Sequence, residues 1–412
     1  MRAFVDLRPL RENPTFRRLW LGSTASGFGG QFGAFAVVYY VWQSTHSAAA
    51  VGLAGLASGL PLIVIGLAGS AFVDHVDRRK LAMRCAGGQI AVSFAMTFVA
   101  FSPAGGVPAM LGLAALNAAI GAIGGPARRA FIPALLTGER LAAGLAVNHL
   151  SFQLAMLLGP AAAGGLTAIA GVGWCFAFDG LTFVAALIGL AGLPSGVPPA
   201  DASGSGIGRV KAGLSYAMRN SPVRGALLCD LAATLLAMPI ALFPVLNAER
   251  FGGRPEILGL FTTALAVGGV TASAVSGLVT ERRHPGQVLL VCGMVWAAAL
   301  GLVCFSWNLS ATLALIAVAG AADTWAVVSR GTVVQGSTPD AYRGRVAALE
   351  QIVGGAGPQL GNLRAGLVAS ATSGGAALAV GGLTALAATA LIGAGTPALR
   401  SFTVSDEAKV TR

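Results

Sequence analysis

The chain has 412 residues, 55% of them hydrophobic and only 10% charged, whereas a soluble domain carries about 25% charged residues. So little charge cannot cover a water-facing surface, which excludes a soluble enzyme and, despite a net charge of +11, a nucleic-acid-binding domain. The 58 glycines favour a helical bundle over a barrel, because small residues let helix backbones approach closely in lipid.

In chain order, Met1 to Arg18 is polar and basic, which predicts no cleavable leader and leaves the first span as the targeting signal. A bilayer core needs about 20 apolar residues per helix. That ruler places six spans at 17–42, 50–73, 81–102, 107–127, 142–170 and 173–193. A stretch rich in Pro, Gly, Ser and charge, 194–221, reads as a cytosolic linker. Six more spans follow at 222–247, 256–280, 287–306, 310–334, 346–370 and 374–395, then a polar cytosolic tail over 399–412. The expected fold is an all-α membrane protein with twelve transmembrane helices in two pseudo-symmetric six-helix bundles, 1–193 and 222–398.

All but three of the 27 basic residues fall in the termini and the even-numbered loops; Arg250 and Arg254 lie opposite, and Arg364 lies within a span. Positive charge stays inside, so both termini are expected in the cytosol and the chain in the inner membrane. Five cysteines sit in or beside apolar segments without the spacing of a disulfide framework or metal site and read as small buried residues. The halves repeat in detail. Gly69 to Lys80 (GSAFVDHVDRRK) corresponds to Gly277 to Arg283 (GLVTERR), and Arg128 to Asn148 corresponds to Arg330 to Gln351. Transporters are often built from such repeats.

Four blocks resemble the major facilitator superfamily, in its enterobactin-exporter-like and macrolide-efflux-like branch, from Leu10 to about Gly395. They are NPTFRRLWLGSTASGFGGQFGAFAVVYYVWQSTHSAAAVGL from Asn13; VDHVDRRK; PARRAFIPALL with LAAGLAVNHLSFQLAMLLGPAAAGG; and TPDAYRGRVAALEQ. The second resembles the signature loop after the second span, with Ser70, His75 and Asp77 as departures. The resemblance implies a latch in which Asp74 accepts from a helix N-terminus while Arg78, Arg79 and Lys80 face lipid phosphates or an acid. His75 would make the latch weaker or pH-sensitive; the plainer reading is a solvated surface histidine. Gly159, Pro160, Gly164 and Gly165 resemble the exporters' antiporter motif, spaced one residue more loosely. There a proline bends the fifth span and small residues let it slide, although ordinary tight packing reads the same way.

Ionisable groups inside a bilayer are costly and are therefore functional candidates. Asp323 and Asp230 are the candidates for proton coupling, and Asp179 is expected to order the turn between the fifth and sixth spans. Glu350 and His149 lie nearer the cytosolic ends. Arg364 must be paired, hydrated or in contact with an anionic substrate; a structural ion pair or a snorkelling side chain is the alternative. Gln31, Tyr39, Asn148, Phe152, Gln153, Trp325, Gln351 and Gln359 are candidates to line a cavity for a bulky, partly aromatic ligand, each with packing as its ordinary role. No phosphate loop, HExxH, GxSxG or His cluster is present, so neither an enzyme nor a cofactor or metal is expected. The expectation is a monomeric exporter of an amphipathic molecule, siderophore or drug-like, by proton antiport. An importer or a multidrug pump with a different cargo is the alternative.

Overall fold

In the computed structural model, which describes residues 6–68, 77–102, 105–193, 206–275 and 283–403, the apolar runs fold into long helices. Among the described residues these are α1 (Pro14–Thr45), α2 (Ala48–Ala68), α3 (Arg78–Phe101), α4 (Val107–Arg129), α5 (Gly138–Ala170) and α6 (Gly173–Ala191). They are followed by α7 (Ser221–Phe251), α8 (Pro255–Ala274), α9 (Pro285–Leu302), α10 (Leu309–Gly336), α11 (Asp340–Ala371) and α12 (Gly374–Gly395). Ten combine the length and hydropathy to cross a bilayer. α1 and α11 also have the length, at 32 residues each, but interleave glycine and polar residues with apolar ones. Phe98, Ile169, Ile188, Leu383 and Leu391 are 67–89% exposed. Water would penalise so much bare apolar surface, whereas acyl chains do not. The protein is a multi-pass all-α membrane protein.

The helix ends follow from local chemistry. Asp77 accepts from Lys80 N at 3.0 Å to start α3, and Asn308 accepts from Ser310 N at 2.8 Å to start α10. Gly171, at φ 95°, ends α5 in a conformation that favours glycine.

The chain divides into two compact units. Unit 1 comprises Met1–Ser44, Ala57–Ser203 and Pro255–Gly259; unit 2 comprises Thr45–Leu56, Gly204–Arg254 and Leu260–Arg412. Within unit 1, α3 packs on α4 and α6; within unit 2, α9 packs on α10 and α12. α1 and α6 meet backbone to backbone. A Cβ on Gly22 would lie 2.8 Å from the Ala185 carbonyl oxygen, and one on Gly189 would lie 2.7 Å from that of Arg18. Gly22→Leu is therefore expected to force α1 off α6 at a cost of about 1–3 kcal/mol. A lowered thermal midpoint in detergent would report it, and an unchanged midpoint would contradict this packing.

The repeat is visible in hydrogen bonds. Asn13 Oδ1 accepts from Phe16 N at 2.9 Å while its Nδ2 donates to the Leu135 carbonyl at 3.0 Å. Asn220 does the same in unit 2, accepting from Val223 N at 3.1 Å and donating to the Ser337 carbonyl at 3.2 Å. This register sets Ser23 of α1 against Asp230 of α7, and Arg128 of α4 against Arg330 of α10. It recurs where Gly164 faces the Pro255 carbonyl in unit 1 and Gly366 faces that of Ala48 in unit 2.

Residues 194–205 of the expected linker, and Gly277 of the repeated loop, lie outside the described residues. The rest of the linker carries a helix, Gly206–Arg219, on α11. Val210 and Ala217 pack into a buried cluster, and Tyr216 stacks on Tyr342 with centroids 4.8 Å apart while donating to the Ser337 carbonyl at 2.5 Å. A polar composition concealed one apolar face at helical spacing.

Candidate functional site

Among the described residues, a cluster of charge inside the helices lies in unit 2. Arg330 of α10 forms an ion pair with Asp230 of α7, and its Nε lies 3.9 Å from a carboxylate oxygen of Glu350 on α11. The Arg330 and Asp230 side chains are 15% and 12% exposed. Asp323 stands seven residues before Arg330 on α10, so the two share a face about 10 Å apart along the axis. Its side chain is exposed, within electrostatic reach of Asp230 and Arg330. One carboxylate thus pairs with the guanidinium, a second stands close to it, and a third lies within electrostatic reach.

That arrangement is incompletely satisfied. Asp230 Oδ2 and Arg330 Nε are buried without a hydrogen-bond partner. A half-satisfied buried pair has spare capacity for a proton or a water, which a closed bidentate pair lacks. α7 is irregular beside it, widening to a π-helix over Ala232–Leu236, and the Asp230 carbonyl accepts from Thr234 Oγ1 at 2.7 Å. Single π turns concentrate at functional sites.

Sequence reasoning named Asp230 and Asp323 but assigned Arg330 to the basic loops. Arg330 lies within α10, Leu309–Gly336, as the expected span 310–334 already implies, so its count with the loops does not hold. The available signal was the repeat, which already set Arg330 against Arg128.

A second polar feature lies in unit 1. A cavity of about 300 Å³ is lined by Trp20, Ser23, Thr24, Arg128, Asn148 and Phe152, among others. Asn148 and Phe152, two of the candidates, both line it. Trp20 Nε1 donates to Ser151 Oγ at 2.9 Å, fixing the indole against α5.

The other candidates are spread through the fold. Gln31 packs against Gly159, where a Cβ would lie 2.6 Å from the Gln31 Cβ. Tyr39 stacks on Phe35 with centroids 6.0 Å apart. Gln153 is half-buried on α5, and Gln351 is exposed beside Glu350. Trp325 Nε1 donates to the Ala272 carbonyl at 2.9 Å. Gln359 crowds Gly55, its Oε1 2.9 Å from where a Cβ would stand. Pro160 is buried, a Cβ on Gly164 would lie 2.5 Å from the Pro255 carbonyl, and Gly165 faces open space.

Arg364 differs from expectation. It neither pairs with Asp323 nor faces a roomy cavity, but donates to the Leu236 carbonyl, where the π segment of α7 ends. The carbonyl freed by that break needs a donor, and Arg364 supplies it. Asp179 differs too. Rather than ordering the turn before α6, its carboxylate accepts from Ser93 Oγ of α3 at 2.7 Å and lies against Gly29 and Gly33 of α1. In the latch, Asp74 lies outside the described residues. Arg78 and Lys80 stand in the first turn of α3, and Arg79 donates to the Ala191 carbonyl at the end of α6.

A family model described as transmembrane secretion effector matches residues 5–409. The enterobactin exporter EntS of Escherichia coli O139:H28 is 25% identical over 348 residues, covering 84% of this chain and 83% of its own; that of Escherichia fergusonii matches equally. Among solved structures, a bacterial homologue of the iron transporter ferroportin in its inward-facing state aligns with a TM-score of 0.74 at 15% identity, covering 94% of this chain and 99% of its own. The nucleoside transporter NupG aligns with a TM-score of 0.73 at 12% identity, covering 94% and 100%. These likenesses establish the major facilitator fold, and the matched families are membrane transporters, not enzymes.

Proposed function

This chain belongs to the transmembrane secretion effector family of major facilitator transporters, and from that membership we propose that it exports an amphipathic small molecule from the cytosol in exchange for protons. The cargo is a siderophore or drug-like compound, a reading supported by the likeness to the enterobactin exporter and by the aromatic and amide side chains of the unit 1 cavity. The protein works as a monomer in the inner membrane with both termini in the cytosol, the orientation its basic loops favour.

The observation that carries the antiport reading is the cluster of Asp230, Asp323 and Glu350 about Arg330. Three carboxylates against one cation leave two negative charges in excess inside the membrane. A proton taken up there lowers that cost, and releasing it restores it. Asp323, accessible and without a hydrogen bond to a described residue, takes up the proton; Asp230 relays it by exchanging its bond to Arg330. The small-residue stretch Gly159 to Gly165, interrupted by Pro160, gives α5 the freedom that alternating access needs.

The test is substrate-driven proton release from reconstituted protein, screening a catecholate siderophore, a macrolide and a sugar. Proton movement with the siderophore or the macrolide, opposite in direction to the cargo, is the expected result. Response to the sugar alone, or cargo moving with the proton, would replace export by import.

A further inference from the structure

Unit 1 builds the same arginine as unit 2 but omits its acids. The asparagine register sets Arg128 where Arg330 stands and Ser23 where Asp230 stands. α5 and α11 add a third correspondence. They start after Thr137 and Pro339, and their buried positions Gly144 and Val147 match Val346 and Leu349. Asn148 therefore falls against Glu350, one residue from the match to Gln351 expected from the sequence. In unit 2 the acids Asp230 and Glu350 stand beside Arg330 at that place. In unit 1 Ser23 and Asn148 leave a cavity of about 300 Å³ with Arg128 in its wall.

Among the described residues, no carboxylate pairs with Arg128 or with the neighbouring Arg129. A cation within a helical bundle needs a counter-charge or water. The hydroxyls of Ser23 and Thr24 and the amide of Asn148 offer hydrogen bonds to a bound anion, and Trp20 and Phe152 offer flat apolar surface beside it. The volume suits a small aromatic acid.

We propose that this cavity binds the anionic group of the transported molecule, a carboxylate, catecholate or sulfonate on an aromatic or apolar body, with Arg128 as its counter-charge. The proposal rests on reading the chain as an exporter. It places recognition of the cargo's charge in unit 1, opposite in sign to the acidic site of unit 2.

Calorimetry on the purified full chain in phosphatidylcholine nanodiscs tests it without any proton gradient, comparing 2-naphthoate with the neutral 2-naphthalenemethanol. A charge-assisted hydrogen bond predicts that naphthoate binds about 10- to 100-fold more tightly. Arg128→Gln should erase that preference. Ser23→Asp should erase it as well, with the thermal midpoint unchanged, because it installs in unit 1 the acid that unit 2 already carries. Arg364→Gln should leave the preference intact. Equal binding of the two ligands, no naphthoate binding, or a preference surviving both Arg128→Gln and Ser23→Asp overturns the proposal. So does loss of naphthoate binding in phosphatidylglycerol discs, which would assign the cavity to a lipid headgroup. Proton release that persists without a charge preference sinks the anion site alone; a preference without proton release sinks the antiport reading alone.

Discussion

Asp230→Ala is expected to lower stability by about 3 kcal/mol and to abolish proton-coupled transport, because it strands a guanidinium inside the helices. Arg330 and its partner are 15% and 12% exposed, and the nearer of the remaining acids, Glu350, stands 3.9 Å away, too far for a good hydrogen bond. Breaking a buried pair costs more than the pair contributes, since the surviving charge keeps its desolvation penalty. The control follows from the same physics. Asp230→Ala combined with Arg330→Met removes both charges, so the thermal midpoint should return most of the way to wild type while proton coupling stays lost. Detergent unfolding and proton flux read the two quantities separately. A double variant as unstable as the single one would mean that Asp230 acts through packing rather than through Arg330.

Asp323→Asn should behave in the opposite way, with stability within about 0.5 kcal/mol of wild type because the side chain is exposed and leaves no described hydrogen-bond partner behind. Coupled transport should nevertheless fall about 100-fold or more, the scale on which losing a positioned proton carrier slows a reaction. Exchange of labelled for unlabelled cargo at equal pH needs no net proton movement and should persist. If Asp323→Asn still concentrates cargo against its gradient when a pH gradient is imposed, the proton passes through Asp230 and Glu350 alone.

The two acids were legible in the sequence for a simple reason. Carboxylates at positions 230 and 323 interrupt long apolar runs, and an ionisable residue there contradicts its surroundings strongly enough to be noticed. Arg330 broke the apolar run in the same way, yet it fell close enough to a span end to be counted with the loops. The expected span, 310–334, already contained Arg330; near its end, a basic residue reads as a flank of the loop, whereas α10 continues to Gly336. Arg364 illustrates the converse. Its place in a span was plain, but its partner is a backbone carbonyl set free by the break in α7, and no side-chain pattern encodes that carbonyl. Asp179 likewise looked local to its turn, whereas Ser93, the residue it binds, is 86 positions away in sequence.

By itself the sequence determined the membrane class, the order and approximate ends of the helices, the internal repeat and the two acids of the candidate coupling site. Lipid imposes length and apolarity on every span, so these features are written locally along the chain. Only the tertiary structure decided which charges meet. It brought Arg330 to Asp230 and Glu350, turned Arg364 to a carbonyl, and left Arg128 beside a cavity where its counterpart has acids. Those outcomes depend on the rotation and axial register of helices distant in sequence. A shift of one residue turns a side chain by about 100°, and packing alone fixes that angle.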